Sequence, residues 1–188
     1  MANHIENYIT IKNADENILN EIKRIFEYEA ESTYKTIHTE ELVQRVYGEE
    51  APVEYDREWY IDKTGAKWMY GNVEDWDVNE IIINITSAWD PINEWIERLS
   101  INLITIKEDI VIENKFEDEG LNFLGVGYFS KDYVDIEYLD EEVDGQKFWD
   151  DDDYRDSIYE TINLMMDDER RIHLEIIEDL KNEQDGNR

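Results

Sequence analysis

The stretch Glu80-Ile81-Ile82-Ile83-Asn84-Ile85-Thr86 restricts the fold of this chain more than any other segment. Its dense run of β-branched side chains fits a pleated strand and points to an interior position in a sheet. Asp90-Pro91 follows, with the spacing of an N-cap and a proline at the first helical position, and Ile92, Trp95, Ile96 and Leu99 form an apolar stripe behind it. A strand therefore runs into an amphipathic helix that covers a sheet.

The rest of the chain extends this pattern. Ile5, Tyr8, Ile9 and Ile11 stand among polar residues over 4–11 and predict a first strand. Asn13 or Asp15 caps a helix that buries Ile18, Ile22, Ile25 and Phe26 and turns Glu16, Glu21 and Glu27 outward. Leu42, Val43 and Val46 predict a short helix ending near Gly48, and Pro52 breaks it. Lys63-Thr64-Gly65, flanked by aromatics, predicts a hairpin or ordered loop over Trp59 to Trp68. Residues 102–113 alternate and predict one long or two short strands. Glu117-Asp118-Glu119-Gly120 turns the chain, and Leu121 to Phe129 and Tyr133 to Leu139 predict two further strands around Ser130-Lys131-Asp132.

From Asp150 to about Leu180 the period is helical, with Ile158, Ile162, Met165, Ile172, Ile176 and Leu180 on one stripe and Asp167-Asp168-Glu169 as a potential break. This helix either packs on the sheet or supplies a homodimer seam, and packing is the favoured reading. The expected architecture is α+β: a ferredoxin-like, mostly antiparallel sheet with helices on one face, plus an acidic C-terminal helical extension. The expected division is a ferredoxin-like domain over 1–139, with an insertion over about 31–70, and an acidic loop and helix over 140–188.

Three segments carry a family resemblance: Ala2-Asn3-His4-Ile5-Glu6-Asn7, Gly65-Ala66-Lys67-Trp68, and Thr86-Ser87-Ala88-Trp89-Asp90-Pro91. With Phe123-Leu124-Gly125-Val126-Gly127-Tyr128 they resemble the YubB-like proteins, which have a ferredoxin-like domain and are carried mainly by phages, plasmids and other mobile elements. The resemblance spans roughly residues 2 to 130. Ile92 stands where that family usually has a second proline, and Ala66 where it has threonine. The resemblance implies a fold and a mobile-element setting, and no catalytic residues.

Charge excludes several function classes. The 188 residues hold 49 Asp+Glu against 18 Lys+Arg, a net charge of −31. Direct binding to nucleic acid or an anionic membrane is disfavoured, since both require basic residues to neutralise phosphates. At 41% hydrophobic and 12% aromatic the chain is too apolar for a disordered acidic tail. Cysteine is absent, which excludes disulfides and thiolate chemistry. No run of 18 apolar residues occurs, and Met1 to Ile11 has no basic stretch followed by an apolar one, so a cytoplasmic location in a host cell is expected.

Motifs for chemistry are missing. His4, His38 and His173 show neither His-Glu-x-x-His nor His-x-His spacing, and structural roles are expected for them. Counted from Asp150, the fifth and sixth positions of a calcium loop would be Tyr154 and Arg155, which do not suit it. There is no nucleophile elbow, and Gly125-Val126-Gly127 lacks the third glycine of a phosphate cradle. Trp59, Trp68, Trp76, Trp89, Trp95 and Trp149 have acidic neighbours rather than the basic groove that base stacking needs. The expectation is a non-enzyme with no cofactor and no metal.

What remains is imitation of a nucleic acid. A chain of this mass exposes on the order of 9,500 Å², or about one net charge per 300 Å², whereas duplex DNA carries about one per 110 Å². Mimicry therefore requires the acids to be concentrated. Between Asp132 and Asp156 stand twelve acids, namely Asp132, Asp135, Glu137, Asp140, Glu141, Glu142, Asp144, Asp150, Asp151, Asp152, Asp153 and Asp156, against Lys147 and Arg155. Asp135 and Glu137 alternate with Val134, Ile136 and Tyr138, which places both carboxylates on one strand face. The expected partner is a basic, nucleic-acid-binding host protein, of the defence, restriction or CRISPR type, that the chain inhibits by mimicking DNA charge. The other reading is a non-catalytic accessory protein whose acidity serves solubility and whose contacts are aromatic.

Overall fold

The computed structural model describes residues 3–26, 37–52, 54, 56–77 and 79–186, with backbone alone for 184–186. Ala2 and Glu27, used above, lie outside the described residues, as does 27–36 of the region around the expected insertion. Strand β1 (His4–Lys12) leads to helix α1 (Glu16–Ile25), and a short strand β2 (Ile37–His38) leads to α2 (Thr39–Tyr47) and α3 (Arg57–Thr64). Then come β3 (Met69–Asp77), β4 (Glu80–Ala88), α4 (Asn93–Ile106), β5 (Val111–Asp118), β6 (Leu124–Phe129) and β7 (Val134–Tyr138). Helices α5 (Gly145–Asp150) and α6 (Asp152–Gly186) complete the chain.

All neighbouring strands pair antiparallel, in the order β2-β3-β4-β1-β5-β6-β7. The fold is α+β, but the seven strands among the described residues exceed the four of a ferredoxin-like sheet. β4 is interior, and its Ile81, Ile83 and Ile85 are buried beside Ile9 and Ile11 of β1 and Ile112 of β5. Against this face pack Ile18, Ile22 and Ile25 of α1, Leu42, Val43 and Val46 of α2, and Trp95, Ile96, Leu99 and Leu103 of α4.

The opposite face is covered at one end, so the sheet carries helices on both faces rather than one. Val111, Leu124, Val126 and Tyr128 meet Phe148 of α5 and Ile158, Ile162 and Met166 of α6 in a second cluster. β6 is accordingly buried along its whole length.

Local chemistry explains the elements and several departures from the sequence reading. Asp15 caps α1, its carboxylate accepting the N–H groups of Asn17 (2.9 Å) and Ile18 (3.0 Å). Where a hairpin or loop was expected, Asp56 accepts the N–H groups of Glu58 and Trp59 and opens α3, which ends at left-handed Gly65 (φ 81°). The Lys63-Thr64-Gly65 signal is thus a helix C-terminus. A Cβ at Gly65 would also collide with the Glu94 carboxylate.

Helix α4 starts after Ile92 rather than at Pro91, and its cap is tertiary: buried Asn7 of β1 accepts the Ile92 N–H at 3.3 Å. The expected strand from Asn102 is instead helical to Ile106, because Leu103 continues the buried stripe of Leu99 and the Asn102 amide donates to the Val46 carbonyl (2.6 Å). The expected turn at Glu117 begins later, since Glu117 and Asp118 still belong to β5. Asp118 then organises the turn by accepting the N–H groups of Gly120 (3.2 Å) and Asn122 (3.0 Å).

Helix α6 is unbroken through Asp167-Asp168-Glu169. Its buried positions are Ile158, Ile162, Met166, Glu169 and His173, whereas Ile172 and Ile176 are half-buried and Leu180 is exposed. The buried stripe continues with the helical period but becomes polar after Met166, which hydropathy patterning does not register.

Candidate partner-binding face

The twelve acids fall into three places. Eleven are exposed and Asp151 is half-buried. Asp135 and Glu137 lie on β7 opposite Tyr128 and Val126 of β6, so they share a sheet face with α6. There their charges act on Glu169 of α6, which is not among the twelve, while the neighbouring Asp168 pairs with Arg171 at 3.1 Å. Glu169 is 3% exposed and accepts the Tyr133 hydroxyl at 2.7 Å. Burial pushes its carboxyl up, the Tyr133 hydrogen bond opposes the shift, and the charges of Asp135, Glu137 and Asp168 add to it. Its buried position at helical spacing from Ile158 and Ile162 was the only signal available, and a glutamate there reads as solvated.

The second group surrounds the start of α6. Asp144 caps α5, accepting the Lys147 N–H (3.0 Å), while its own N–H donates to the Tyr154 hydroxyl (3.2 Å). Asp151 accepts the Tyr154 N–H at 3.1 Å, and Phe148 is buried beneath the corner. Both bases of the segment are engaged internally: Arg155 pairs with Asp152, and the Lys147 ammonium sits 4.2 Å from the centre of the Tyr154 ring. Asp140, Glu141 and Glu142 in the segment before α5, Asp150 at its end, and Asp153 and Asp156 in the first turns of α6 are all exposed.

Asp132 stands apart, at the β6–β7 turn beside a cleft of about 920 Å³ between the second half of α6 and the sheet end. The cleft is lined by Ile110, Tyr128, Ser130, Arg170, His173 and Ile177, among others. Buried His173 links Tyr128 (Oη to Nδ1, 2.9 Å) and Ser130 (Oγ to Nε2, 3.1 Å). Burial lowers the His173 pKa from its ordinary value, and Asp132 partly offsets this. A neutral ring accepts from the Tyr128 hydroxyl and donates to Ser130, whose own hydroxyl donates to the Tyr133 carbonyl (2.9 Å) and accepts the Tyr133 N–H (3.0 Å). The Ser130 hydrogen is thus committed to the turn, and the group fastens α6 to the β6–β7 hairpin. Beside it, Arg170 forms a two-bond ion pair with Glu113 of β5, both bonds at 2.6 Å.

The other histidines pack on aromatics: His4 on Trp68 and His38 on Tyr70. Trp95 is fully buried and Trp149 is 64% exposed, while Trp59, Trp68, Trp76 and Trp89 are half-buried. Among the described residues no group of three His, Asp or Glu is arranged to hold a metal ion, and no helix is long and apolar enough to cross a membrane. The apolar residues Ile158, Ile162 and Met166 of α6 are used within the chain, while Leu164 and Leu174 are exposed.

Comparison with protein-family models, with curated proteins and with solved structures gives no match to this chain.

Proposed function

We propose that this chain is a non-catalytic inhibitor that occupies the nucleic-acid-binding surface of a basic host protein, presenting β7 and the α5–α6 corner as a surrogate for phosphate charge. The observation that carries the reading is the segment Asp132–Asp156, with net charge −10, whose acids are nearly all exposed and whose two bases are engaged within it. The total surface of 10984 Å² gives about one net charge per 350 Å², so an even spread would be more dilute than DNA. Local concentration is what makes imitation physically reasonable. The resemblance of residues 2–130 to YubB-like proteins supports a mobile-element setting, where a host defence nuclease is a fitting target.

The test is competition. A panel of purified bacterial DNA-binding proteins, including restriction and RNA-guided nucleases, is titrated with this chain and with a short duplex. The reading expects at least one member to bind the chain and the duplex in mutually exclusive fashion. Ternary complexes throughout, or no binding to any member, would overturn it.

One observation favours the accessory-protein reading. Trp68 and Tyr70 stack at 5.7 Å (16° between planes) beside His4 and His38, with Tyr70 37% exposed. If this cluster makes the contact, neutralising Asp150 to Asp153 leaves binding intact and a Tyr70→Ala substitution abolishes it.

A further inference from the structure

The free edge of the sheet at β7 deepens the proposed function and rests on that reading. Among the described residues β7 pairs with β6 alone, in regular register from Val134↔Phe129 to Tyr138↔Gly125. Two bonds bracket the ladder: Ser130 N–H to Tyr133 carbonyl and Leu139 N–H to Leu124 carbonyl, each 2.8 Å. Antiparallel pairs alternate between hydrogen-bonded and non-hydrogen-bonded, so Asp135 and Glu137 direct their N–H and C=O groups at β6. Val134, Ile136 and Tyr138 direct theirs at the open edge. Among the described residues no strand occupies that edge.

The side chains of β7 sort by face. Val134, Ile136 and Tyr138 are 45%, 39% and 46% exposed on one side, and Tyr138 packs edge-on against Phe116 and Phe123. Asp135 and Glu137 are exposed on the other side, where their charges reach Glu169 of α6. β7 contains no proline, no lysine and no bulge, the usual devices that block an edge.

Charge selects the occupant. A two-fold pairing of β7 with a second copy, centred on Ile136, would set Asp135 directly opposite the partner copy's glutamate, a destabilising like-charge pair. A strand with Lys or Arg on one face and apolar residues on the other reverses that sign. We infer that β7 accepts an extended segment of the basic partner as an eighth strand, its cations against Asp135 and Glu137 and its apolar side chains beside Val134, Ile136 and Tyr138. Backbone bonds supply affinity and the alternation supplies selectivity.

The test uses a synthetic peptide alternating Lys and Val, a version N-methylated on the edge-facing amides, and a version with Glu for Lys. The expected result is binding of the first peptide alone, with slowed hydrogen exchange at the amides of Val134, Ile136 and Tyr138. The substitution Ile136→Pro removes an N–H that the β6 ladder does not use, and it is expected to weaken that binding at least tenfold with the fold unchanged by circular dichroism. Equal binding by the N-methylated peptide, or by a folded Ile136→Pro chain, would overturn strand addition; so would concentration-dependent dimerisation that Ile136→Pro abolishes. The two readings fail separately. If a DNA-binding partner is captured competitively but Ile136→Pro does not matter, only strand addition falls. If the peptide adds at β7 but no partner competes with duplex, only the inhibitor function falls.

Discussion

Tyr133 donates its hydroxyl hydrogen to Glu169 across 2.7 Å and thereby ties the start of β7 to the middle of α6. This contact holds a buried carboxylate behind Asp135 and Glu137, so the acidic edge and the helix that supports it form one unit.

Replacing Tyr133 with Phe leaves the Glu169 carboxylate without this donor. The expected loss is about 1 to 3 kcal/mol, read as a lower urea midpoint with an unchanged m-value.

Glu169 also sets a pH dependence. Its carboxyl is raised above the ordinary value of 4.5, first by burial, so the folded chain holds this proton more tightly than the unfolded chain. The contribution is present below pH 4.5 and is lost as pH rises through the raised value. The Glu169→Gln chain is expected to gain stability relative to the parent as pH rises above that range, measured by urea unfolding between pH 4 and pH 8. A constant difference would contradict the assignment.

His173 works in the opposite sense. Its pKa is lowered from 6.5, mainly by burial, so protonation favours the unfolded chain. Stability is present above pH 6.5 and falls as pH drops through the lowered folded value. The parent is expected to lose more stability below pH 6.5 than the His173→Gln chain, compared by unfolding at matched pH.

The sequence made some parts of this architecture legible and hid others for identifiable reasons. β1, β4, α1 and the two strands around Ser130 follow from alternation or helical spacing among apolar residues. α3 was hidden because Lys63-Thr64-Gly65 suits a turn and a helix end equally, and the Asp56 cap has no apolar stripe behind it. β3 carries Gly71, three exposed acids (Glu74, Asp75 and Asp77) and a register shift between Val73 and Asp75, which dilute its alternation. The end of α4 reads as strand in the sequence because Leu103, Thr105 and Lys107 alternate, while its decisive contact, Asn102 to Val46, is tertiary. The acids of β7 could be placed on one face from period alone. Glu169, Arg170 and His173 could not be placed against the sheet, because a buried polar residue is recognisable only through the partner that satisfies it.

The Arg170–Glu113 pair is the second fastening of α6. Arg170→Met leaves Glu113, with its side chain 7% exposed, without its cation, and the expected cost is about 3 kcal/mol. Adding Glu113→Gln is expected to recover part of the loss. Strict additivity in the double-mutant cycle would deny the coupling.

The most direct measurement of the central claim is the association rate with a captured basic partner as a function of salt. The parent is compared with a chain carrying Asp135→Asn, Glu137→Gln and Asn at Asp150 to Asp153. The account predicts fast association by the parent that slows steeply as salt rises, and a neutralised chain that associates at least tenfold more slowly with a shallower salt slope. Equal rates and equal slopes for the two chains would contradict it.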